Sequence, residues 1–183
     1  MIDRNEAAAA LSDIANIAQR VRQSRVYQGA SLIMMLWGVL TFGGYLAQHW
    51  WPRYSNLTWI GIDLVGFAGS FAIGLMRRPF GSSHKGNGWR IFFAFVMLIA
   101  FGLFWVNVGH LSGRQMSAFW PTYYMLGYAV AGLWLGAAFT VIGASIIALT
   151  LVGYFLVGPW FDIWMAFVNG GGLLLAGAWM RRE

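Results

Sequence analysis

The sequence contains a run of 47 residues, from Gln115 to Phe161, that has no Lys, Arg, Asp or Glu. As one helix this run would reach about 70 Å at 1.5 Å per residue, well beyond the roughly 30 Å of a bilayer core. The run must therefore fold back on itself, and Leu135-Gly136-Ala137 is the weakest helical point in it. We predict two membrane helices that are joined there, and the residue at which they divide stays open.

The composition extends this interpretation to the whole chain. Charged residues make up 10% of the sequence and hydrophobic residues 59%, whereas a soluble domain has about 25% charged residues. Lipid admits only helices or closed barrels, and the apolar runs here are continuous rather than alternating, so the predicted class is all-α. We predict a polytopic membrane protein: an amphipathic N-terminal helix in residues 1–28, then a bundle of about six transmembrane helices in residues 29–183. The predicted spans are 29–48, 57–76, 91–109, 117–135, 138–158 and 160–179.

The basic residues predict the orientation. Cytoplasmic loops are enriched in Lys and Arg, so the ends and the loop after the second span are predicted to be cytoplasmic. Two basic residues, Arg53 and Arg114, then face outside. The predicted cytoplasmic set is Arg4, Arg20, Arg22, Arg25, Arg77, Arg78, Lys85, Arg90, Arg181 and Arg182. Because these residues flank apolar runs, the net charge of +6 indicates anionic lipid as the partner and not nucleic acid.

The N-terminal helix has an apolar face and a basic neighbourhood. The apolar residues are Leu11, Ile14, Ala18 and Val21, and the basic residues near them are Arg20, Arg22 and Arg25. One interpretation is a helix that lies on the anionic inner leaflet. The other is a helix for self-association or for docking a partner membrane protein.

Asp63 is the only carboxylate well inside a predicted span. A charge at that depth costs about 2.5 kcal/mol or more on insertion scales, so it usually faces a cavity or a partner. One interpretation is a proton or cation site. The alternative is a structural pair with Arg53, Arg114 or His110, which the predicted topology places at the same membrane face.

Three further residues are candidates for binding at the outer face. Asn107 and His110 are three residues apart on the third span, and His49 ends the first span. Two His residues with a carboxylate form a known metal set, so a metal or haem site built from His49, His110 and Asp63 is one alternative. Interfacial anchoring explains the same residues without a ligand, and we predict neither a metal nor another cofactor. The sequence has no Cys, which excludes thiolate ligands.

The last span contains two polar features. Asp162 follows Pro159 at the start of the span, where a carboxylate suits the helix dipole, and the predicted topology brings it to the same outer face as His49 and Arg114. Asn169 precedes three consecutive glycines, Gly170 to Gly172, in the middle of the span. The glycines indicate either close helix packing or an unwound segment that lines a substrate path, and Asn169 is a ligand-site candidate in the second case.

Several local sequences resemble those of small uncharacterised bacterial multi-pass membrane proteins. The resemblance rests on the Asn-Glu-Ala-rich N-terminal helix, on Tyr27-Gln28-Gly29 followed by Trp37-Gly38, and on Trp164-Met165-Ala166 through Gly170-Gly171-Gly172 to Met180-Arg181-Arg182. It implies a location in the bacterial inner membrane and assigns no functional residues.

The sequence lacks protease, kinase and phosphate-loop signatures, and no catalytic residues are predicted. We therefore predict a non-enzymatic sensory, regulatory or accessory subunit of the inner membrane. The first alternative is a small channel or secondary transporter with Asp63 in its path. The second is the metal- or haem-binding protein that would use His49 and His110.

Overall fold

A computed structural model describes residues 4–76 and 88–181. Within these ranges the chain is all-helical, which confirms the predicted class. The helices, in chain order, are α1 (Arg4–Trp50), α2 (Ser55–Met76), α3 (Gly88–Val108), α4 (Gly113–Leu135), α5 (Ala137–Leu156), α6 (Phe161–Met165) and α7 (Gly172–Met180). A π-helical turn, Ala166–Gly171, joins α6 to α7, so the two form one continuous helix.

Four segments in the described ranges are long and apolar enough to cross a membrane. They are Tyr27–Trp50, Pro52–Met76, Ala137–Leu156 and Gly158–Met180, and they correspond to the predicted first, second, fifth and sixth spans. Helices α3 and α4 occupy the predicted third and fourth positions. The described structure is thus a bundle of helices, four of which are long and apolar enough to span a membrane.

Helix α1 is longer than predicted. It runs without interruption for 47 residues, or about 70 Å, so it joins the predicted N-terminal helix and the first span with no break near residue 28. Ile14 of the predicted apolar face is 63% exposed, and its neighbour Ile17 is 62% exposed, so the other described residues do not cover this part of the helix. The side chains of Leu11, Ala18 and Val21 lie outside the described residues.

Helices α4 and α5 form a tight antiparallel hairpin. The break between them falls at Gly136, where the sequence predicts it, and this residue has φ 134° and ψ 146°, a conformation that is essentially restricted to glycine. Close packing follows on both sides of the turn. A Cβ added at Gly132 would collide with Thr140, and one added at Gly143 would lie 2.8 Å from the backbone nitrogen of Ala129.

The last helix packs against α1 through small residues. A Cβ on Gly170 would lie 2.6 Å from the backbone of Phe42, and one on Gly38 would lie 2.9 Å from the backbone nitrogen of Leu174. Further along, the buried Ser31 hydroxyl donates a 2.6 Å hydrogen bond to the carbonyl oxygen of Gly177. These contacts support the packing interpretation of the predicted glycine run, although its backbone is π-helical rather than regular.

Helices α2 and α3 lie at the edge of the bundle. Gly66 of α2 accommodates the Trp37 ring of α1, and the Trp37 indole donates to Ser70 Oγ at 3.1 Å. Most other large apolar side chains of α2 and α3 are exposed. They include Leu57, Leu64, Phe71 and Leu75 of α2, and Phe93, Met97, Phe101 and Phe104 of α3.

Candidate functional site

A cluster of polar side chains surrounds Gln48 near the end of α1. Its amide nitrogen donates to Oδ1 of Asp162 at 2.7 Å and to Oγ of Ser117 at 2.8 Å. Its amide oxygen accepts from Nε1 of Trp59 at 2.7 Å and from Oγ of Ser55 at 3.0 Å. A glutamine amide has two donor hydrogens and two acceptor lone pairs, so all four are used. We call Gln48, Ser55, Trp59, Ser117 and Asp162 the Gln48 cluster.

The local sequence explains how these residues meet. Pro52 begins a single 3-10 turn, Pro52–Tyr54, that reverses the chain after α1 and returns it into α2. This reversal places the first turns of α2 beside the end of α1. Asp162 lies in the first turn of α6, directly after the 3-10 turn Gly158–Trp160. The cluster thus joins the end of α1 to the starts of α2, α4 and α6.

Tyr45 extends the cluster into the core. Its ring is 2% exposed and packs edge-on against Trp59, with the ring centroids 4.9 Å apart. Its hydroxyl donates to the carbonyl oxygen of Ser117 at 3.0 Å, and the side chain of Asn169 in the π-helical turn interacts with the same phenol. The predicted candidate Asn169 is therefore buried and partnered within the protein.

Two basic side chains lie near the Asp162 carboxylate without forming a direct ion pair to it in the described structure. The His49 ring stacks on Trp160, with the centroids 5.5 Å apart. Arg114 donates to the carbonyl oxygen of Tyr154 at 2.7 Å, and its guanidinium lies over the rings of Tyr154 and Phe161. Both side chains interact electrostatically with Asp162 without touching it.

Asp63 lies apart from this cluster. Its side chain is exposed on α2, and no hydrogen bond or ion pair joins it to another residue in the described ranges. The structure therefore does not bring Asp63 together with Arg53, Arg114 or His110. Its charge acts on Tyr124 of α4 only through space, without a direct contact between the two side chains.

The candidates on α3 occupy its end. Asn107 donates to the carbonyl oxygen of Leu103, four residues earlier in the same helix, at 2.7 Å. His110 follows the end of the helix with φ 47°, the left-handed conformation that commonly terminates helices. Both side chains are exposed, and their contacts explain the end of α3 without a ligand.

The three residues of the metal alternative do not meet in the structure. Among the residues at 4–76 and 88–181, no group of three or more His, Cys, Asp or Glu side chains is placed to hold a metal ion. His49 stacks on Trp160, and His110 lies at the end of α3. Asp63 is exposed on α2, apart from both. Of the residues that the predicted topology brings to one face, the structure brings together His49, Arg114 and Asp162.

The local sequence does not identify the centre of the site. Gln48 appears there only as the end of the first span, and Ser117 as one uncharged residue in a long uncharged run. Neither has a local signature, because the hydrogen bonds join residues 69 and 114 positions apart. The available signal was the presence of several neutral polar residues within otherwise apolar helices, each of which needs a partner away from water.

The geometry supports a structural role for the Gln48 cluster. Its amide, hydroxyl and indole groups satisfy one another, and they join four helices through one side chain. The described residues of the cluster contain no nucleophile paired with a general base. Comparison of the chain with known protein families, curated proteins and solved structures found no match.

Proposed function

We propose that the chain is an integral protein of the bacterial inner membrane, with six spans and both ends in the cytoplasm. Four segments are long and apolar enough to cross a membrane. Helices α3 and α4, with 21 and 23 residues, reach about 32 and 35 Å, which is also sufficient. The distribution of Lys and Arg supports the orientation.

Cysteine labelling tests this topology directly, because the native sequence contains no Cys. Single cysteines at Ser82 and Glu183 are expected to resist a membrane-impermeant thiol reagent in intact spheroplasts. Cysteines at Arg53 and Ser112 are expected to react. Labelling of Glu183→Cys or Ser82→Cys before lysis contradicts the proposed arrangement.

Within the membrane, we propose a non-enzymatic role as a sensory, regulatory or accessory subunit. The observation that supports it is the position of α2 and α3, which face outward with large apolar side chains along most of their length. Such surfaces suit lipid or another membrane helix. The described connections between helices are short, as at Gly136 and Val157, so within the described ranges the helix surfaces are the main area available to a partner.

Site-specific photo-crosslinking in cells tests the subunit role. A photoreactive residue at Leu64 of α2 or Met97 of α3 is expected to give an adduct with one discrete membrane protein. Leu175, which is exposed on α7, provides a control on another face, and the fully buried Met165 provides a background control. Lipid adducts alone at Leu64 and Met97 contradict a stable partner on this side.

The second candidate function is a small channel or secondary transporter, and Asp63 is the observation that favours it. An exposed carboxylate within an apolar helix has no partner in the described ranges, as expected for a group that meets an ion or a proton. Proteoliposomes with an internal pH dye test this role. Proton flux that Asp63→Asn abolishes supports transport, and equal flux with protein-free liposomes excludes proton transport.

A further inference from the structure

An exposed stripe on α2 contains Asp63 among apolar and small residues. Ile60, Asp63, Phe67, Phe71 and Gly74 follow one another at spacings of three or four residues, so they lie along one side of the helix. All five are exposed. A Cβ added at Gly74 would meet no atom within 4 Å, so the backbone is open to close approach there. We call these five residues the Asp63 stripe.

The stripe differs from the face of α2 that packs on α1. That face uses Trp59, Ile62 and Gly66 against Gly44 and Trp37. The Asp63 stripe lies beside that face. Phe67 stands at the boundary, with its ring centroid 5.4 Å from that of Trp37 on α1 and 5.8 Å from that of Phe95 on α3. Phe67 is still 38% exposed and Phe71 is 67% exposed. Much of the stripe is thus uncovered in the described structure.

The carboxylate of Asp63 needs either a cationic partner or water if this surface lies in a membrane. Ionisable side chains within membrane spans almost always pair with one another or face a watery cavity, because lipid does not solvate charge. The described cations at the predicted outer end of α2 do not reach Asp63. Arg114 is engaged with Tyr154 and Phe161, and Arg53 lies in the turn before α2. Among the described residues Asp63 thus has no cationic partner, and a cation from another molecule would satisfy it.

We infer that the Asp63 stripe binds a transmembrane helix of a partner protein through a Lys or Arg side chain of that helix at the depth of Asp63. Gly74 permits close helix approach at one end of the stripe, and Ile60, Phe67 and Phe71 supply apolar contact. The inference rests on the proposed membrane location and names the chemistry of the partner for the proposed subunit role.

Synthetic transmembrane helices test this binding with the full-length protein in phosphatidylcholine vesicles. The probe is a Leu-Ala helix with a single Lys about 9 Å below its outer end, which is the predicted depth of Asp63. The reference helices have Leu at that position, or Lys two turns deeper. Association is measured by energy transfer between a dye on the helix and a dye on the protein at fixed dilution in lipid.

The Lys helix is expected to bind about tenfold more tightly than the Leu helix, a difference of ~1.4 kcal/mol. Asp63→Asn removes this preference and Asp63→Glu retains it. Asp13→Asn, which removes an exposed carboxylate from the start of α1, also leaves it unchanged. Equal binding of the Lys and Leu helices, or a preference that survives Asp63→Asn, overturns the inference.

Self-association gives a separate outcome. A disulfide that forms between two copies of Gly74→Cys in the vesicles, together with exclusion of the Lys helix, identifies a second copy as the occupant and overturns the proposed partner. Folding of each variant is checked by its circular dichroism and elution volume. Because the cysteine-labelling test of topology is independent, a failed Lys preference with correct labelling refutes this inference and leaves the membrane arrangement intact.

Discussion

The side-chain amide of Gln48 donates a 2.7 Å hydrogen bond to the carboxylate of Asp162, 114 residues further along the chain. The same nitrogen also donates to Ser117, so one amide group ties α1 to both α4 and α6. In a low-dielectric interior such a bond is strengthened, and a missing partner is correspondingly costly. The contribution of the Gln48 cluster can therefore be measured through stability.

Replacing Gln48 with Ala is expected to lower the free energy of unfolding by about 1–3 kcal/mol, because Asp162, Ser117 and Trp59 lose their partner. Thermal and denaturant unfolding in detergent micelles measure the change. Gln28→Ala is the matched control, since Gln28 is exposed on the same helix, and its effect is expected within about 0.5 kcal/mol. Equal effects of the two substitutions contradict the role of the cluster.

Replacing Gln48 with Glu is expected to make stability depend on pH. The substitution places a second carboxyl group at hydrogen-bond distance from Asp162, and two charges so close cannot both persist, so the folded pair keeps a proton. The two groups ionise independently when the chain unfolds. Folding thus takes up a proton, and the melting temperature of the variant falls between about pH 5 and pH 8. A fall of equal size in the native protein over the same pH range would contradict this explanation.

The α4–α5 hairpin offers a test of glycine packing. Gly143→Ala is expected to destabilise the protein by about 1–3 kcal/mol, because its Cβ would press on the backbone of Ala129. Gly127→Ala on α4 is the control: nothing lies within 4 Å of its Cβ position. That substitution is expected to be neutral or to stabilise by up to about 1 kcal/mol through helix propensity. Unfolding measurements that rank the pair in the opposite order contradict the packing seen here.

Substitution by Val is expected to change the free energy of unfolding in opposite directions at two threonines of α5. The Thr150 hydroxyl is buried with no hydrogen-bond partner among the described residues, whereas Thr140 donates to the carbonyl oxygen of Ala129 at 3.1 Å. Thr150→Val should raise the free energy of unfolding by about 1–3 kcal/mol, and Thr140→Val should lower it by about 1 kcal/mol. Loss of stability in Thr150→Val would point to a water molecule bound at that hydroxyl.

Local sequence predicted the helices and the α4–α5 break well. The long uncharged run had to turn, and Gly136 is the residue that adopts the required conformation. The length of the run and one glycine were therefore enough to predict the position of the break. The N-terminal boundary near residue 28 was different. There the polarity changes while helix-forming residues continue without Pro, so α1 runs on through the predicted boundary.

The site was predictable only in part. Asp162, His49 and Arg114 were placed at one face from topology alone, and they do lie near one another. Asp63 and His110 were placed there too, but rotation about the helix axes sets the direction of each side chain, and the sequence does not fix it. The role of Gln48 was not predicted. A neutral amide at the end of a helix carries no charge or spacing that shows whether it hydrogen-bonds to other helices.

The π-helical turn Ala166–Gly171 has a consequence for how this helix tolerates changes in length. Removing one residue from a regular helix rotates everything after it by about 100°, which would turn the contacts of α7 away from α1. A turn that already contains one residue more than an α-helical turn can absorb the loss by becoming regular. We therefore expect the last helix to tolerate deletion of one residue within 166–171. Phe161 before the turn and Gly177 after it would then keep their present neighbours.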